Sequence, residues 1–125
     1  MGTSLPTIPY TLLQAVAREE GFYADGLMPN RPQRNKNPLD LEWRPWMTSF
    51  GSTSGDPRFA IFPSVEQGFA AGKHLLQFPL YKGKTISQFV GIFAPGNENN
   101  TQQYLLNICS FTEQQPETII DGILG

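Results

Sequence analysis

The chain has 125 residues, of which 39% are hydrophobic, 12% aromatic and 16% charged, enough for one domain with its own core and no covalent staple. Nine phenylalanines and two tryptophans argue against disorder. A net charge of -2 with a pI near 5.3 lacks the basic face of a nucleic-acid binder.

Cys109 and His74 each stand alone, which excludes an intrachain disulfide, a Cys-based metal cluster, a two-histidine zinc site and a two-histidine proton relay. Cys109 follows Leu105, Leu106 and Ile108 in an apolar helical pattern and reads as a small buried hydrophobe. His74 lies between Lys73 and Leu75 with no nucleophile motif around it. No metal or cofactor is expected. The longest basic cluster, Arg31, Arg34 and Lys36, is spread through a Pro/Asn-rich stretch and reads as a solvated loop. No apolar run approaches the roughly 20 residues of a membrane span. Residues 1–7 lack the charged-then-apolar order of a signal peptide. The expectation is a soluble, monomeric, single domain over residues 1–125, with residues 1–8 a disordered or tag-derived lead-in.

In chain order, Pro9 marks a helix start, and Leu12, Leu13, Val16 and Ala17 follow at helical spacing up to Glu20, where Gly21 is a stop. Residues 22–38, rich in Gly, Pro and Asn, read as irregular loop. Leu39, Asp40, Leu41, Glu42 and Trp43 alternate in polarity and predict a short strand. After a Gly/Ser/Thr-rich segment over 49–56, a second strand is expected over 58–62, completing one small hairpin with a long mobile loop. Ser64 with Gln67 and Thr85 with Gln88 are capping-box signals, each opening an amphipathic helix. Asn99, Asn100 and Thr101 offer a cap for the helix carrying Tyr104, Leu105, Ile108 and Cys109. Pro116 begins a last short helix with Ile119, Ile120, Ile123 and Leu124. The fold class is α+β and predominantly α-helical, with about five helices and one small β-hairpin.

One constellation bears on chemistry. The first helix ends in Arg18-Glu19-Glu20-Gly21-Phe22-Tyr23. A carboxylate there meets the negative end of the helix dipole. If it is also partly buried against Phe22 and Tyr23, its pKa rises further. Both effects favour a carboxylic acid that donates a proton near neutral pH, as glycosidic cleavage requires. Two glutamates at a helix end are also compatible with plain exposure.

An N-terminal helix closing on Glu20-Gly21 resembles the start of the phage lysozymes, where the catalytic glutamate directly precedes a glycine; Glu19 is then the outward neighbour. Further segments look like those of phage and bacterial cell-wall lysozymes and lytic transglycosylases. Arg34-Asn35-Lys36-Asn37-Pro38-Leu39-Asp40-Leu41 is similar to the segment leading into their substrate-cleft hairpin. The run from Arg58 to Gly68 resembles the strand and helix start that close it. Phe93-Ala94-Pro95-Gly96-Asn97-Glu98-Asn99-Asn100-Thr101 through Tyr104 resembles the stretch bringing a cleft tyrosine to the acid. The resemblance covers residues 10–112 and rests on order and spacing. Leu39 stands where the pattern often has glycine, and Asp40 where it has asparagine.

That resemblance implies a lysozyme-like fold and a peptidoglycan glycosidase. Glu20 is then the general acid, acting on glycan strands of the bacterial wall from the extracellular or periplasmic side or delivered by a phage. Tyr104 divides between a core aromatic and a substrate or Glu20 contact. Asn37 hydrogen-bonds either an N-acetyl group or its own backbone. Trp46, beside Arg44 and Pro45, is favoured over Trp43 as a sugar-stacking face. Asn100, Asn99 and Tyr23 complete the binding candidates, and Ser52, Thr53 and Ser54 read as solvated linker. No second carboxylate is obvious; Asp40 and Asp25 lead, with Glu42 and Asp56 behind. Hydrolysis and transglycosylation stay level, since a transglycosylase uses the substrate's own hydroxyl. The alternative is a non-catalytic peptidoglycan-binding or phage structural module on the same fold.

Overall fold

The computed structural model describes residues 3–96 and 98–125, without the side chains of Glu98 and Asn99. Helix α1 (Leu12–Glu19) starts later than Pro9 suggests. Its cap is Thr11, in a reciprocal capping box with Gln14, so two backbone N–H groups at the helix start find side-chain acceptors. Leu12, Leu13, Ala15, Val16 and Ala17 are all buried, which makes α1 the central helix rather than a surface one. It stops as expected: Glu20 is the C-cap, and Gly21 takes a φ of +93°, the left-handed conformation that favours glycine.

The Pro/Asn-rich stretch is less irregular than its composition suggests. A second capping box, Asn30 with Gln33, opens the single-turn helix α2 (Arg31–Arg34). The strand expected over residues 39–43 does not form. Asp40 turns the chain with a φ of +52°, and its N–H donates to the Asn37 carbonyl at 2.9 Å. Beyond that turn the backbone of the segment pairs with the second strand region through an isolated bridge between Glu42 and Phe59, flanked by two backbone hydrogen bonds. The alternation still reports burial: Leu39 and Leu41 are in the core and Glu42 is exposed.

The hairpin itself uses β1 (Thr53–Ser54), from the segment expected to be a mobile loop, and β2 (Ala60–Ile61), in antiparallel register with Thr53 opposite Ile61. Pro45–Phe50 forms a 3-10 helix closed by Gly51 at a φ of +78°.

Helices α3 (Val65–Leu76) and α4 (Ile86–Phe93) begin at their expected caps, Ser64 and Thr85. Helix α5 (Glu98–Thr112) already includes Asn99, Asn100 and Thr101 in its first turn, so these do not precede it as caps. Asn97 and the Asn99 side chain lie outside the described residues. The helix expected after Pro116 is replaced by a bridge between Thr85 and Ile119 and a 3-10 turn, Ile120–Gly122. Backbone groups there pair with the start of α4 and the residue ahead of its cap. Ile120 N–H donates to the Lys84 carbonyl at 2.9 Å, and the Thr118 and Pro116 carbonyls accept from Ile86 and Ser87 N–H at 2.9 and 3.0 Å, in place of helical bonding.

The protein is therefore α+β with helix dominant. Helix α1 packs on α5 and α3, α4 packs on α5, and α3 carries the 3-10 helix. Gly68 and Gly72 lie one turn apart on α3 and are buried. A Cβ at Gly68 would overlap the Lys36 carbonyl and sit 2.7 Å from Pro38 Cδ, and one at Gly72 would sit 2.9 Å from a Leu39 methyl. These glycines let residues 36–39 lie directly on α3, which aims the next residues at the end of α1. Among the described residues, no helix is long and apolar enough to cross a membrane.

Candidate active site

A cleft of roughly 550 Å³ opens where these elements meet. Its lining comprises Glu20 from the end of α1, residues 39–42, Arg44 and the 3-10 helix residues 45–47, Phe59, and Leu75, Phe78, Leu80, Tyr81 and Phe93 from the α3–α4 region. The lining is largely apolar, with Glu20, Asp40, Glu42 and Arg44 as its charged members.

Glu20 Oε2 accepts a hydrogen bond from the Tyr104 hydroxyl at 3.0 Å, across 84 residues of sequence. Burial is the largest influence on Glu20 and raises its pKa from 4.5 to about 6; the charges of Asp40 and Glu19 push the same way, while the Tyr104 hydrogen bond and Arg31 oppose it. A carboxyl group poised there is part protonated in mildly acidic solution and can give or take a proton. Tyr104 keeps its phenolic proton, because burial and then the Glu20 charge push its pKa up. Its ring is half-buried against the core and its hydroxyl holds the acid, so it fills both of its expected roles on the protein side.

Glu19 is not simply an outward neighbour. It is half-buried, accepts two hydrogen bonds from Asn107 Nδ2 at 3.0 and 3.2 Å, and has its pKa raised by burial. It does not line the cleft, which leaves Glu20 as the carboxylate that α1 presents there.

The candidate second carboxylates separate clearly. Asp40 lines the cleft, but Arg31 holds both of its oxygens, with Nε to Oδ1 at 3.0 Å and Nη2 to Oδ2 at 2.6 Å. Glu42 also lines it, exposed and 3.8 and 3.5 Å from the guanidinium groups of Arg44 and Arg58. Asp25 lies in the exposed stretch after Tyr23, outside the cleft. Asp56 is outside it too, and its hydrogen bond from Arg34 at 2.6 Å holds its carboxyl below the usual range.

Of the binding candidates, Trp46 lines the cleft, and its ring meets Phe50, His74 and Phe78 at centroid distances of 5.9, 5.2 and 5.2 Å. His74 is thus part of an aromatic cluster. Trp43 does not line the cleft, and its buried indole N–H has no hydrogen-bond partner among the described residues.

Of the two alternatives for Asn37, the structure shows the backbone one and corrects the glycan contact. Asn37 is fully buried, its Nδ2 donates to the carbonyls of Leu41 and Ala60 at 2.9 and 3.0 Å, and its Oδ1 accepts from Leu41 N–H at 3.0 Å. That side chain ties the residue 41 segment to β2 and is spent on backbone. Tyr23 is a second correction: it is buried edge-on against Phe22 and lines no part of the cleft. Asn100 is exposed on the first turn of α5, away from the lining. Ser52 is buried and donates to the Thr53 carbonyl, while Thr53 and Ser54 form β1.

Phe59 and Phe78 carry no local signal of a cleft role, and Arg31, read with Arg34 and Lys36 as solvated loop, instead opens α2 and hydrogen-bonds the little-exposed side chain of Asp40. The Asn30–Gln33 capping box was a readable signal that Arg31 opens a helix, but nothing local pairs it with Asp40. No protein-family model, curated protein or solved structure matches this chain.

Proposed function

We propose that this chain is a peptidoglycan glycosidase of lysozyme-like fold, with Glu20 as its general acid. The observation that carries the reading is Glu20 itself: a carboxyl lining a cleft, gripped by Tyr104 and brought by burial to a pKa of about 6. Such a group protonates the bridging oxygen between N-acetylmuramic acid and N-acetylglucosamine as the bond from the muramic C1 breaks. The fold assignment is supported by the order of parts: a buried first helix ending at Glu-Gly, a small hairpin, then helices that return Tyr104 to the acid. Trp46 and Phe78 offer aromatic surface to sugar rings in the same cleft.

The carboxylates favour transglycosylation over hydrolysis. A hydrolase needs a second carboxylate free to activate water or attack C1. Asp40 has both oxygens engaged, and Glu42 lies beside two arginines. A transglycosylase uses the muramic C6 hydroxyl, which bonds to C1 and returns its proton to Glu20. The site of action is the bacterial wall.

Purified cell-wall sacculi incubated with the protein are expected to release soluble fragments ending in anhydro-muramic acid, read by mass spectrometry. Glu20→Gln should abolish release while keeping the fold, because the amide oxygen still accepts from Tyr104. Retained release by that variant would end the proposal. Binding to sacculi without release by the unaltered protein would favour a non-catalytic binding module instead.

A further inference from the structure

Arg31 is the first residue of α2, set by the Asn30–Gln33 capping box. Its guanidinium grips Asp40 through the paired hydrogen bonds described above, a fork that lysine cannot reproduce. The Phe59 ring centre lies 3.6 Å from the same guanidinium, and Phe59 lines the cleft beside Asp40. Asp40 is held at a φ of +52°, in the left-handed region, with its side chain 8% exposed. A carboxylate sharing a cleft with a general acid is ordinarily the group that activates water or attacks the sugar. Here its oxygens already have a partner.

We propose that Arg31 is a positioning residue: by holding both oxygens of Asp40, it withholds the cleft's second carboxylate from the sugar and leaves Glu20 to act alone. Where products report on it, this role rests on the glycosidase reading above. With Asp40 held, the C1–O4 bond breaks, the Glu20 proton goes to O4, and the muramic O6 bonds to C1 as its proton returns to Glu20. With Asp40 released, it takes a proton from a water whose oxygen bonds to C1 instead, and the product has a reducing end. The electrostatics run parallel, since Asp40 raises and Arg31 lowers the pKa of Glu20. The other groups acting on it are Glu19 of α1, which raises it, and Tyr104 of α5, which lowers it.

The test uses Arg31→Met, Asp40→Asn, the double variant and Arg31→Lys, each first checked for a cooperative melt. Asparagine accepts a φ of +52° as readily as aspartate, so Asp40→Asn keeps the turn. On sacculi, Arg31→Met is expected to raise the reducing-end fraction roughly tenfold, a modest share of what a positioned base contributes. The double variant should return to anhydro ends, and Arg31→Lys should fall between. Unchanged end groups in Arg31→Met would overturn the proposal.

A carbon-13 NMR titration of the Glu20 carboxyl needs no activity and separates the two readings. Its midpoint should rise in Arg31→Met and fall in Asp40→Asn. A midpoint unmoved in both would overturn the role of Arg31 even if walls are digested. Opposed displacements with no digestion by the unaltered protein would remove the glycosidase reading and leave the hold of Arg31 on Asp40 standing.

Discussion

Glu20 is held in tension between burial, which favours its neutral form, and the Tyr104 hydroxyl, which favours its charged one. Burial wins, and the consequence reaches stability as well as chemistry. An acid whose folded pKa exceeds its unfolded value contributes stability that is complete below the unfolded pKa and lost as pH rises through the folded one. For Glu20 that window runs from 4.5 to about 6 and corresponds to about 2 kcal/mol. Glu20→Gln should therefore melt with the unaltered protein at pH 4 and above it at pH 7.5, measured by calorimetry at both. Equal melting at pH 7.5 would mean that burial does not strain this carboxyl.

The helix end followed by Gly21 is a local signal for where α1 stops. The residues alone leave Glu19 and Glu20 compatible with plain exposure, and it is the order and spacing of the lysozyme-like segments that single out Glu20. Sequence leaves Asn37 open between an N-acetyl group and its own backbone, because nothing local says that the side chain is buried. Only the pairing of residue 41 with β2 gives it three buried hydrogen bonds.

Among the elements, local grammar was readable and long-range pairing was not. The Ser64 and Thr85 caps located α3 and α4, and the same rule, overlooked at Thr11–Gln14 and Asn30–Gln33, sets α1 and α2. The alternation over residues 39–43 reports the burial of Leu39 and Leu41 and the exposure of Glu42, but not the 8% exposure of the Asp40 side chain or the backbone path. Its strand is interrupted by the turn at Asp40, which the path of residues 36–39 across α3 dictates. The final helix failed for a related reason: its backbone groups pair with the start of α4 and the residue ahead of its cap, a partner invisible to periodicity.

The glycines of α3 make this testable. Gly68→Ala places a methyl group against the Lys36 carbonyl and Pro38, and should cost about 2–3 kcal/mol through overpacking. Gly91→Ala on α4 meets open space, and should gain about 0.5–1 kcal/mol. Urea unfolding of both variants checks the contrast. A Gly68→Ala variant as stable as the parent would mean that α3 does not seat the cleft-lining segment.

At the scale of the whole molecule, the fold brings together groups from separate parts of the chain. Helix α1 supplies Glu20, α5 returns Tyr104 to it, and the segment lying on α3 supplies Asp40, which α2 holds through Arg31. The α+β class with helix dominant followed from composition and periodicity. The meeting of these groups did not, since each contact joins residues that no local pattern relates. The proposal that this meeting forms an acid catalyst is tested most directly by the pH dependence of kcat/KM for fragment release from purified sacculi. In the unaltered protein, activity should fall as pH rises, with a midpoint near 6 where Glu20 loses its proton, and it should be absent in Glu20→Gln at every pH. Activity level from pH 5 to 8, or surviving in Glu20→Gln, would contradict it.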